Sequence, residues 1–530
     1  MKKNILKLAL TLCFISFNGL FAQEMLREIS LKEQIDNSTL VVEGEVISKT
    51  SFWNNNLIYT ANTVQVYKVF KGAPVSTIEV ITLGGTVALE AMMVSSSLKL
   101  QTGTVGLFVL QSSEVVNQTT GKSSTKSYQP YSAIQGCYKY NLYDDIAVNP
   151  FNKKKGISSA FYKEIMSATG TNYVEVSSFN TVELNKSLNQ KSALAPGITN
   201  FSPTTATAGT KSVVTINGTG FGTTKGKVGF YEADEGGGAY INALDTQVTW
   251  SDTQILVEVP SGAGTGKIRI TDAVSSSTVS TGILTVPYSE LNAEYDPGTG
   301  LRAYQTQHYG QSFSGPAAGG YEWRMYTDFF NDSDKPGARA AFERALETWR
   351  CTTKINWTIR STPDVTDATA LDSKNMIRFD NGTELASGVL GTCVSYWSGQ
   401  SCNGTVEWYV RELDIVFDDD TTWIVDPGTP DVPGFDFQSV ALHELGHGHQ
   451  LGHVINTKEV MHFNLAPREY SRVLSNDDIN AGNDVQTRST GTSICDLLDP
   501  MTDYSGTCSL GVEDDIFKEG VKIYPNQSNG

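Results

Sequence analysis

The sequence predicts a multidomain protein with an N-terminal β domain, an immunoglobulin-like β-sandwich and a C-terminal α/β domain. The length of 530 residues is too great for one hydrophobic core, so several domains are expected. Short β-branched runs separated by glycine-containing turns fill the first half of the chain and are typical of sheets. After residue 320, strand patterns alternate with a helical pattern, which indicates an α/β or α+β domain.

The first 22 residues have the pattern of a secretory signal peptide. Two lysines precede an apolar run over residues 5–21, and the small residue Ala22 ends this pattern. Asn18 and Gly19 break the run and no stop-transfer flank follows, so a cleaved signal is favoured over an uncleaved membrane anchor. We therefore expect an exported protein, in which disulfides can form.

Six cysteines follow the predicted signal peptide, at positions 137, 351, 393, 402, 495 and 508. An even number in an exported protein permits disulfides. Close spacing in the sequence favours the pairs Cys393–Cys402 and Cys495–Cys508, and it leaves Cys137 and Cys351 unassigned.

Residues 23–190 are predicted to form the N-terminal β-rich domain. Apolar and polar residues alternate over residues 40–46 and 63–69, with turns at Gly72 and Gly84, as in a small β-barrel or sandwich. The sequence of this domain shows no cluster of acidic residues or histidines, and no nucleophile next to a base. A propiece or a structural module is therefore expected. The polar residues 177–195 are interpreted as a linker.

Residues 196–287 are predicted to form the β-sandwich. Short β-branched runs end at tight turns, as at Gly209 and in the segment 214–222. The strand and turn pattern resembles the IPT/TIG family of immunoglobulin-like domains and continues through residues 257–260 and 267–270. The resemblance implies a spacing or binding module without chemistry of its own.

Residues 320–490 are predicted to form the third domain. A strand at residues 321–326 precedes a helix at 336–349, and further strands are expected at 355–359, 376–379 and 413–417. The apolar residues of the predicted helix follow approximately helical spacing.

The chemistry of this domain is predicted from its histidines. Five of the six histidines in the chain lie within twenty residues, from His443 to His462. His443 and His447 are four apart and share one face of a helix, and Gly452 allows the chain to turn so that His453 returns as a third ligand. Three neutral imidazoles leave zinc an open position for water, and Glu444 can take a proton from that zinc-bound water. His449 is about 200° round the helix from His447 and faces away.

This segment resembles the metzincin pattern HExxHxxGxxH, with Met461 at the position of the Met-turn that underlies the zinc. The flanking segments 413–420 and 474–479 narrow the resemblance to matrixins, over residues 321–485. The resemblance implies a twisted mixed sheet with an active-site helix, zinc as cofactor, and hydrolysis of internal peptide bonds in protein or peptide substrates.

The sequence also departs from the matrixin pattern. Gln450 occupies the internal glycine position, so the turn must form with a side chain present or with help from Gly448 or Gly452. Val416 replaces a histidine that binds a structural zinc in vertebrate-type matrixins, so no second zinc is predicted.

Two further sites are candidates by resemblance to matrixins. Asp418, Asp419 and Asp420 form a candidate calcium cluster, although an exposed acidic turn fits them equally well. Cys137 is a candidate latency thiol that could reach the zinc; its flanks do not match the matrixin switch sequence, and a disulfide or a buried thiol is the alternative.

Residues 515–530 resemble the opening of the C-terminal sorting domain of the type IX secretion system, although an ordinary exposed strand and turn fits them too. The resemblance implies export across the outer membrane and contact with the secretion machinery or the cell surface. The net charge of −17 argues against nucleic acid as a partner, and the oligomeric state is open. The alternative function is a cell-surface adhesion or glycan-binding protein with a vestigial metal site.

Overall fold

The computed structural model describes residues 25–117, 126–191, 196–311, 318–333, 335–382, 384–428, 433–463 and 465–508. The predicted signal peptide and the predicted sorting segment lie outside these residues. Within the described ranges, no helix is long and apolar enough to cross a membrane.

Residues 25–191 form what we call the barrel domain. Its strands are β1 (Leu40–Asn54), β2 (Leu57–Lys71), β3 (Thr77–Leu83), β4 (Gly85–Val87), β5 (Glu90–Val94), β6 (Val105–Ser112), β7 (Ser127–Pro130), β8 (Cys137–Asn141), β9 (Ile146–Asn149), β10 (Asn152–Lys155) and β11 (Val174–Glu175). Five of these strands pair in the order β1-β2-β3-β7-β6, and β6 pairs again with β1, so they close into a barrel. Its helices are α1 (Leu31–Asn37), α2 (Tyr162–Thr169) and α3 (Thr181–Lys191).

Helix α3 corrects the interpretation of residues 177–195 as a linker. The Asn180 side-chain oxygen accepts hydrogen bonds from the backbone N–H groups of Val182 and Glu183, which is helix N-capping. The Asn185 amide then donates to the carbonyl oxygens of Leu142 and Tyr143 and anchors the helix on the barrel domain. The polar composition hid this helix because its stabilising contacts are hydrogen bonds rather than an apolar stripe.

The second unit is a sandwich of two four-stranded sheets, in the orders β12-β13-β17-β16 and β15-β14-β18-β19. Alternate residues point into its core, among them Val214, Ile216, Phe230 and Ile268. Its strands are β12 (Gly197–Ser202), β13 (Val213–Thr219), β14 (Lys227–Glu232), β15 (Tyr240–Asn242), β16 (Val248–Trp250), β17 (Gln254–Glu258), β18 (Ala263–Thr271) and β19 (Ser277–Val279).

The third unit is a mixed sheet with helices packed against it, as the predicted fold class requires. Its strands are β20 (Ser289–Glu290), β21 (Asn292–Tyr295), β22 (Arg302–Gln307), β23 (Tyr321–Met325), β24 (Trp357–Ile359), β25 (Asn375–Phe379), β26 (Gly391–Cys402), β27 (Thr405–Phe417), β28 (Trp423–Ile424), β29 (Phe435–Asp436) and β30 (Leu451–Gly452). Its helices are α4 (Thr327–Phe330), α5 (Ala338–Thr353), α6 (Phe437–Gly448) and α7 (Asn476–Gly491). β24, β23, β25 and β27 are parallel, whereas β26 is antiparallel.

The sheet of the third unit is extended by the barrel domain. β5 pairs antiparallel with β26 over five residue pairs, from Val94 opposite Val394 to Glu90 opposite Ser398. β4 pairs with the other side of β5 and forms the edge of the sheet. The first described residues also contact this region, because Arg27 N–H donates to Gly388 O and Leu390 N–H donates to Met25 O. The barrel domain therefore covers the edge strand that the third unit would otherwise expose.

The disulfides differ from those predicted. Cys351 bonds to Cys508 and Cys402 bonds to Cys495, while Cys393 and Cys137 are free and buried. The predicted Cys393–Cys402 pair is wrong because both residues lie on β26, and nine strand steps separate their Cα atoms by about 30 Å. The predicted Cys495–Cys508 pair is wrong because each partner bonds to a cysteine that is distant in the sequence.

Candidate active site

Helix α6 holds the first two histidines in the centre of the third unit. Asp436 caps its N-terminus by accepting a hydrogen bond from Ser439 N–H at 2.9 Å, and every residue of the helix is buried. The Trp349 indole of α5 donates to Leu442 O at 2.8 Å. The helix is therefore fixed at its N-terminus and along its length.

His443, His447 and His453, called the three-histidine group below, converge on one point. One ring nitrogen from each lies within 4.8 Å of the others, and the Nε2 atoms of His447 and His453 are 3.1 Å apart. Burial lowers the pKa of His443 and His447 well below the usual value, so both rings are neutral. Neutral imidazoles are the form that binds a metal ion.

The other ring nitrogen of each histidine is already bonded. His443 Nδ1 lies 2.7 Å from Val460 O, and His447 Nδ1 lies 2.8 Å from Leu451 O. His453 Nδ1 lies 2.7 Å from the Asp234 carboxylate. An Nδ1–H that donates to these oxygens leaves the Nε2 lone pair free for a metal ion.

Glu444 lies beside the three-histidine group. Its side chain is buried, and burial raises its pKa to about 8, against the lowering effect of hydrogen bonds from Ser95 and Cys393. The Ser95 hydroxyl donates to Glu444 Oε2 at 3.0 Å, and Ser95 itself belongs to the barrel domain. A cavity at this place is lined by the histidines, Glu444, Phe463 and residues of the barrel domain such as Met25 and Ser96.

Met461 lies in the core beneath α6. Gly446 allows the sulfur to approach the helix, since a Cβ atom at Gly446 would collide with Met461 Sδ. Asp478 of α7 accepts hydrogen bonds from Val460 N–H at 3.1 Å and Met461 N–H at 3.3 Å. Because Val460 O is the partner of His443, the carboxylate of Asp478 holds the turn that orients the first histidine.

Comparison with known families is consistent with this geometry. Residues 321–485 match the family model described as Matrixin. The chain contains a matrixin domain. Residues 196–288 match the IPT/TIG domain, so the resemblances to matrixins and to IPT/TIG domains are confirmed, whereas the resemblance of residues 515–530 to a sorting domain stays a prediction. No curated protein matches the chain. The matrixin domain supports a zinc-dependent metallopeptidase of the metzincin type, acting on a protein substrate.

The turn between the second and third histidines of the matrixin domain forms despite Gln450. Gln450 itself adopts the left-handed conformation, with φ of 70°. Its Oε1 atom accepts hydrogen bonds from Trp397 Nε1 at 2.7 Å and Thr306 Oγ1 at 3.0 Å, and its Nε2 atom donates to Gly448 O at 3.0 Å. The side chain that replaces glycine is thus fully used inside the core.

The remaining predicted residues are placed elsewhere. His449 Nε2 lies 3.0 Å from Thr353 Oγ1 and outside the three-histidine group. The Cys137 thiol is buried in the core of the barrel domain, where burial raises its pKa, and it does not line the cavity at Glu444. Asp418 and Asp419 come together with Asp380 rather than with Asp420. Calcium at this cluster stays a prediction.

Sequence reasoning missed three residues that contact the site: Ser95, Asp234 and Asp478. Asp478 could have been found, because Ser475 and Asp478 have the spacing of a capping box and follow the Met-turn closely. Ser95 and Asp234 are hundreds of residues from the histidines in the sequence and stand in no motif. Only the packing of the domains brings them to the site.

Proposed function

We propose that the chain is a secreted zinc-dependent endopeptidase, in which the three-histidine group holds zinc and Glu444 is the general base and then the general acid. The observation that carries the proposal is the convergence of three imidazoles beside a buried carboxylate within a matrixin domain. Met461 shapes the floor of the site.

The residues fit a catalytic zinc ion. One ring nitrogen from each histidine faces one point, and the Nδ1 atoms are already hydrogen-bonded, so each ring has its Nε2 atom left as a ligand. In the described part of the chain, no fourth histidine, cysteine or carboxylate joins the group. Three protein ligands are typical of catalytic zinc, whereas structural zinc has four.

The chemistry then follows from the positions of the residues. Bound zinc would supply a Lewis acid that polarises the scissile carbonyl and makes water acidic. Glu444 would take the proton from the attacking water and give it to the leaving amine. This step needs a free Glu444 carboxylate, and in the structure Ser95 occupies one of its oxygens.

We propose further that the barrel domain is a propiece that covers the active site without using a thiol. An extended peptide commonly binds by adding a strand to an exposed sheet edge. β5 already pairs with β26, whose first residue, Gly391, lines the cavity at Glu444. Ser95 directly follows β5 and donates its hydroxyl hydrogen bond to Glu444. Ser95 N–H also donates to Cys393 O at 3.0 Å. A substrate strand would compete for the same backbone groups.

The peptidase proposal is tested with denatured casein. We expect cleavage after the barrel domain has been removed, and we expect no cleavage by the Glu444→Ala variant or after treatment with a chelator. Zinc analysis should give about one ion per chain and none in a His447→Ala variant. A zinc-containing chain without the barrel domain that leaves casein intact would instead favour the adhesion or glycan-binding alternative.

The propiece proposal is tested by adding the barrel domain back. A chain that starts at residue 196 should cleave casein, and separately purified residues 25–191 should inhibit it. Ser95→Pro is the matched control, because proline lacks both the N–H that donates to Cys393 and the hydroxyl that donates to Glu444. Equal inhibition by the two forms of the barrel domain would contradict the proposed contact.

The proposal of secretion is supported by the patterns in residues 1–22 and 515–530. Fractionation of the producing cells tests it, with the mature protein expected in the medium or on the cell surface. Mature protein found only in the periplasm would contradict export across the outer membrane.

A further inference from the structure

The third histidine differs from the first two in the group that orients its ring. His443 and His447 use backbone carbonyl oxygens of the matrixin domain. His453 uses the carboxylate of Asp234, which lies in the IPT/TIG domain, 219 residues earlier in the sequence. A carboxylate is a stronger acceptor than a carbonyl and makes the opposite ring nitrogen a better metal ligand.

Asp234 is held in place by both of its oxygens. Its Oδ1 atom faces His453 Nδ1, and its Oδ2 atom accepts a hydrogen bond from Lys99 Nζ of the barrel domain at 3.3 Å. The carboxylate is buried in the short helical turn 233–235, which follows β14. Lys139 of the barrel domain braces that turn through Glu232 at 2.6 Å and Glu235 at 3.1 Å.

The turn that carries Asp234 packs directly on the chain around His453. Gly236 and Gly237 have φ values of 59° and 78°, which suit glycine. A Cβ atom at Gly236 would lie 3.1 Å from Phe463 Cζ, and one at Gly237 would lie 3.1 Å from Ile455 Cδ1. The absence of side chains at these two positions lets Asp234 reach the histidine.

The segment that follows the IPT/TIG domain holds the residues just before His453 in place. β20 pairs with β30, with Ser289 opposite Gly452 and Glu290 opposite Leu451. Leu291 N–H also donates to Gln450 O at 2.9 Å. The two residues before His453 are therefore held in a strand pair, while Asp234 fixes its ring.

We propose that Asp234 is a positioning residue for the zinc site, through which the IPT/TIG domain is a structural part of the catalytic centre rather than a spacer. The carboxylate fixes the His453 ring with Nε2 directed at the metal position. An ordinary ion pair between domains would contribute to stability alone, whereas a positioning residue also changes metal affinity. This inference rests on the proposed zinc site.

The test compares zinc binding by full-length variants. The Asp234→Asn variant keeps the shape of the side chain and removes its charge, and the Asp234→Ala variant removes the acceptor. Asp245→Asn, at an exposed position of the same domain, is the matched control. The dissociation constant for Zn²⁺ is measured by competition with a chromophoric chelator, and the absorption bands of bound Co²⁺ report the ligand geometry.

We expect zinc affinity to fall by about 10- to 100-fold in Asp234→Ala and by less in Asp234→Asn, which is the usual effect of losing such a partner. The cobalt bands should shift in both variants and not in Asp245→Asn. Circular dichroism shows whether each variant is folded, and if the alanine variant is not, the isosteric asparagine variant decides. Folded Asp234 variants with zinc affinity within twofold of the unaltered chain would overturn the proposed role of Asp234 and leave the proposed zinc site standing. An unaltered chain that binds no zinc would overturn the proposed function as well.

Discussion

Gln450 shows how one side chain can replace a glycine inside a metal-binding turn. A non-glycine residue in the left-handed region costs about 1–2 kcal/mol, and Gln450 has φ of 70°. Its amide offsets this cost with hydrogen bonds to Trp397, Thr306 and Gly448 in the core. The glycine of the family pattern and the glutamine of this chain thus reach the same turn by different means.

Substitution of Gln450 separates the conformational cost from the hydrogen bonds. Gln450→Gly relieves the strain but leaves buried partners unpaired, at about 1–3 kcal/mol for each, so the free energy of unfolding should fall. Gln450→Ala keeps the strain and loses the same bonds, so it should be the less stable of the two. Denaturant unfolding measures both variants. A glycine variant as stable as the unaltered chain would show that the amide bonds contribute nothing.

Among single residues, the sequence predicted the three histidines that the structure brings together. The HExxH spacing is local, because a helix places residues four apart on one face whatever the rest of the chain does. Asp234 and Ser95 could not be predicted in this way. Their roles depend on how three domains pack, and no local spacing records that packing.

Helix α6 is an element whose two glycines have different surroundings. At Gly446 a Cβ atom would collide with Met461 Sδ and lie 3.2 Å from Trp349 Cζ2. At Gly448 the nearest atom, Trp357 Cη2, would be 3.5 Å away, which is an ordinary contact. Glycine disfavours a helix, yet α6 continues through Gly448 because the helix is buried on all sides.

The glycines of α6 provide a matched pair of variants. Gly446→Ala should displace Met461 and the turn that orients His443, lowering the free energy of unfolding by about 1–3 kcal/mol, as overpacking does. Gly448→Ala should be neutral or stabilising, because alanine favours a helix by up to about 1 kcal/mol. Thermal unfolding of both variants checks this, and equal losses would contradict the proposed role of the Met461 contact.

Strand β27 carries a carboxyl group whose titration should be visible in stability. Burial raises the pKa of Glu412 from 4.5 to about 7, against hydrogen bonds from the backbone N–H groups of Asp372 and Ser373. Between these pH values the folded chain keeps a proton that the unfolded chain releases. The contribution of Glu412 to the free energy of unfolding therefore falls as the pH rises from about 4.5 to 7.

A Glu412→Gln variant isolates this contribution, because glutamine resembles the protonated carboxyl and does not titrate. We expect the variant to gain stability relative to the unaltered chain as the pH rises through this window. Urea unfolding at pH 5, 6, 7 and 8 gives the difference directly. If the free energies of unfolding of the two proteins changed in parallel with pH, the pKa of Glu412 in the folded chain would be close to its ordinary value.

At the scale of the whole molecule, the fold class and the two families were predictable, whereas the connections between distant parts were not. Alternating apolar residues and glycine turns are local and indicate sheets. The strand that the barrel domain adds to the matrixin sheet leaves no such pattern, because β5 would look the same in any sheet. The predicted disulfide pairs were wrong for the same reason, since spacing along the chain does not measure distance across a fold.

The disulfides connect the matrixin domain to the segment that follows it, over long stretches of chain. Cys351 and Cys508 are separated by 157 residues, and Cys402 and Cys495 are separated by 93. Cross-links over long loops restrict the unfolded chain most, and their loss commonly costs about 2–4 kcal/mol. The paired change of Cys402 and Cys495 to serine should therefore lower the free energy of unfolding by an amount in this range.

The connectivity itself is checked by mass spectrometry of a non-reduced digest. Cross-linked peptides should contain Cys351 with Cys508 and Cys402 with Cys495. The buried thiols of Cys137 and Cys393 should react with an alkylating agent only after unfolding. A peptide joining Cys495 to Cys508 would contradict the structure. Rapid alkylation of Cys137 in the folded chain would show that its thiol contacts solvent. That result would support the prediction that Cys137 is a latency thiol.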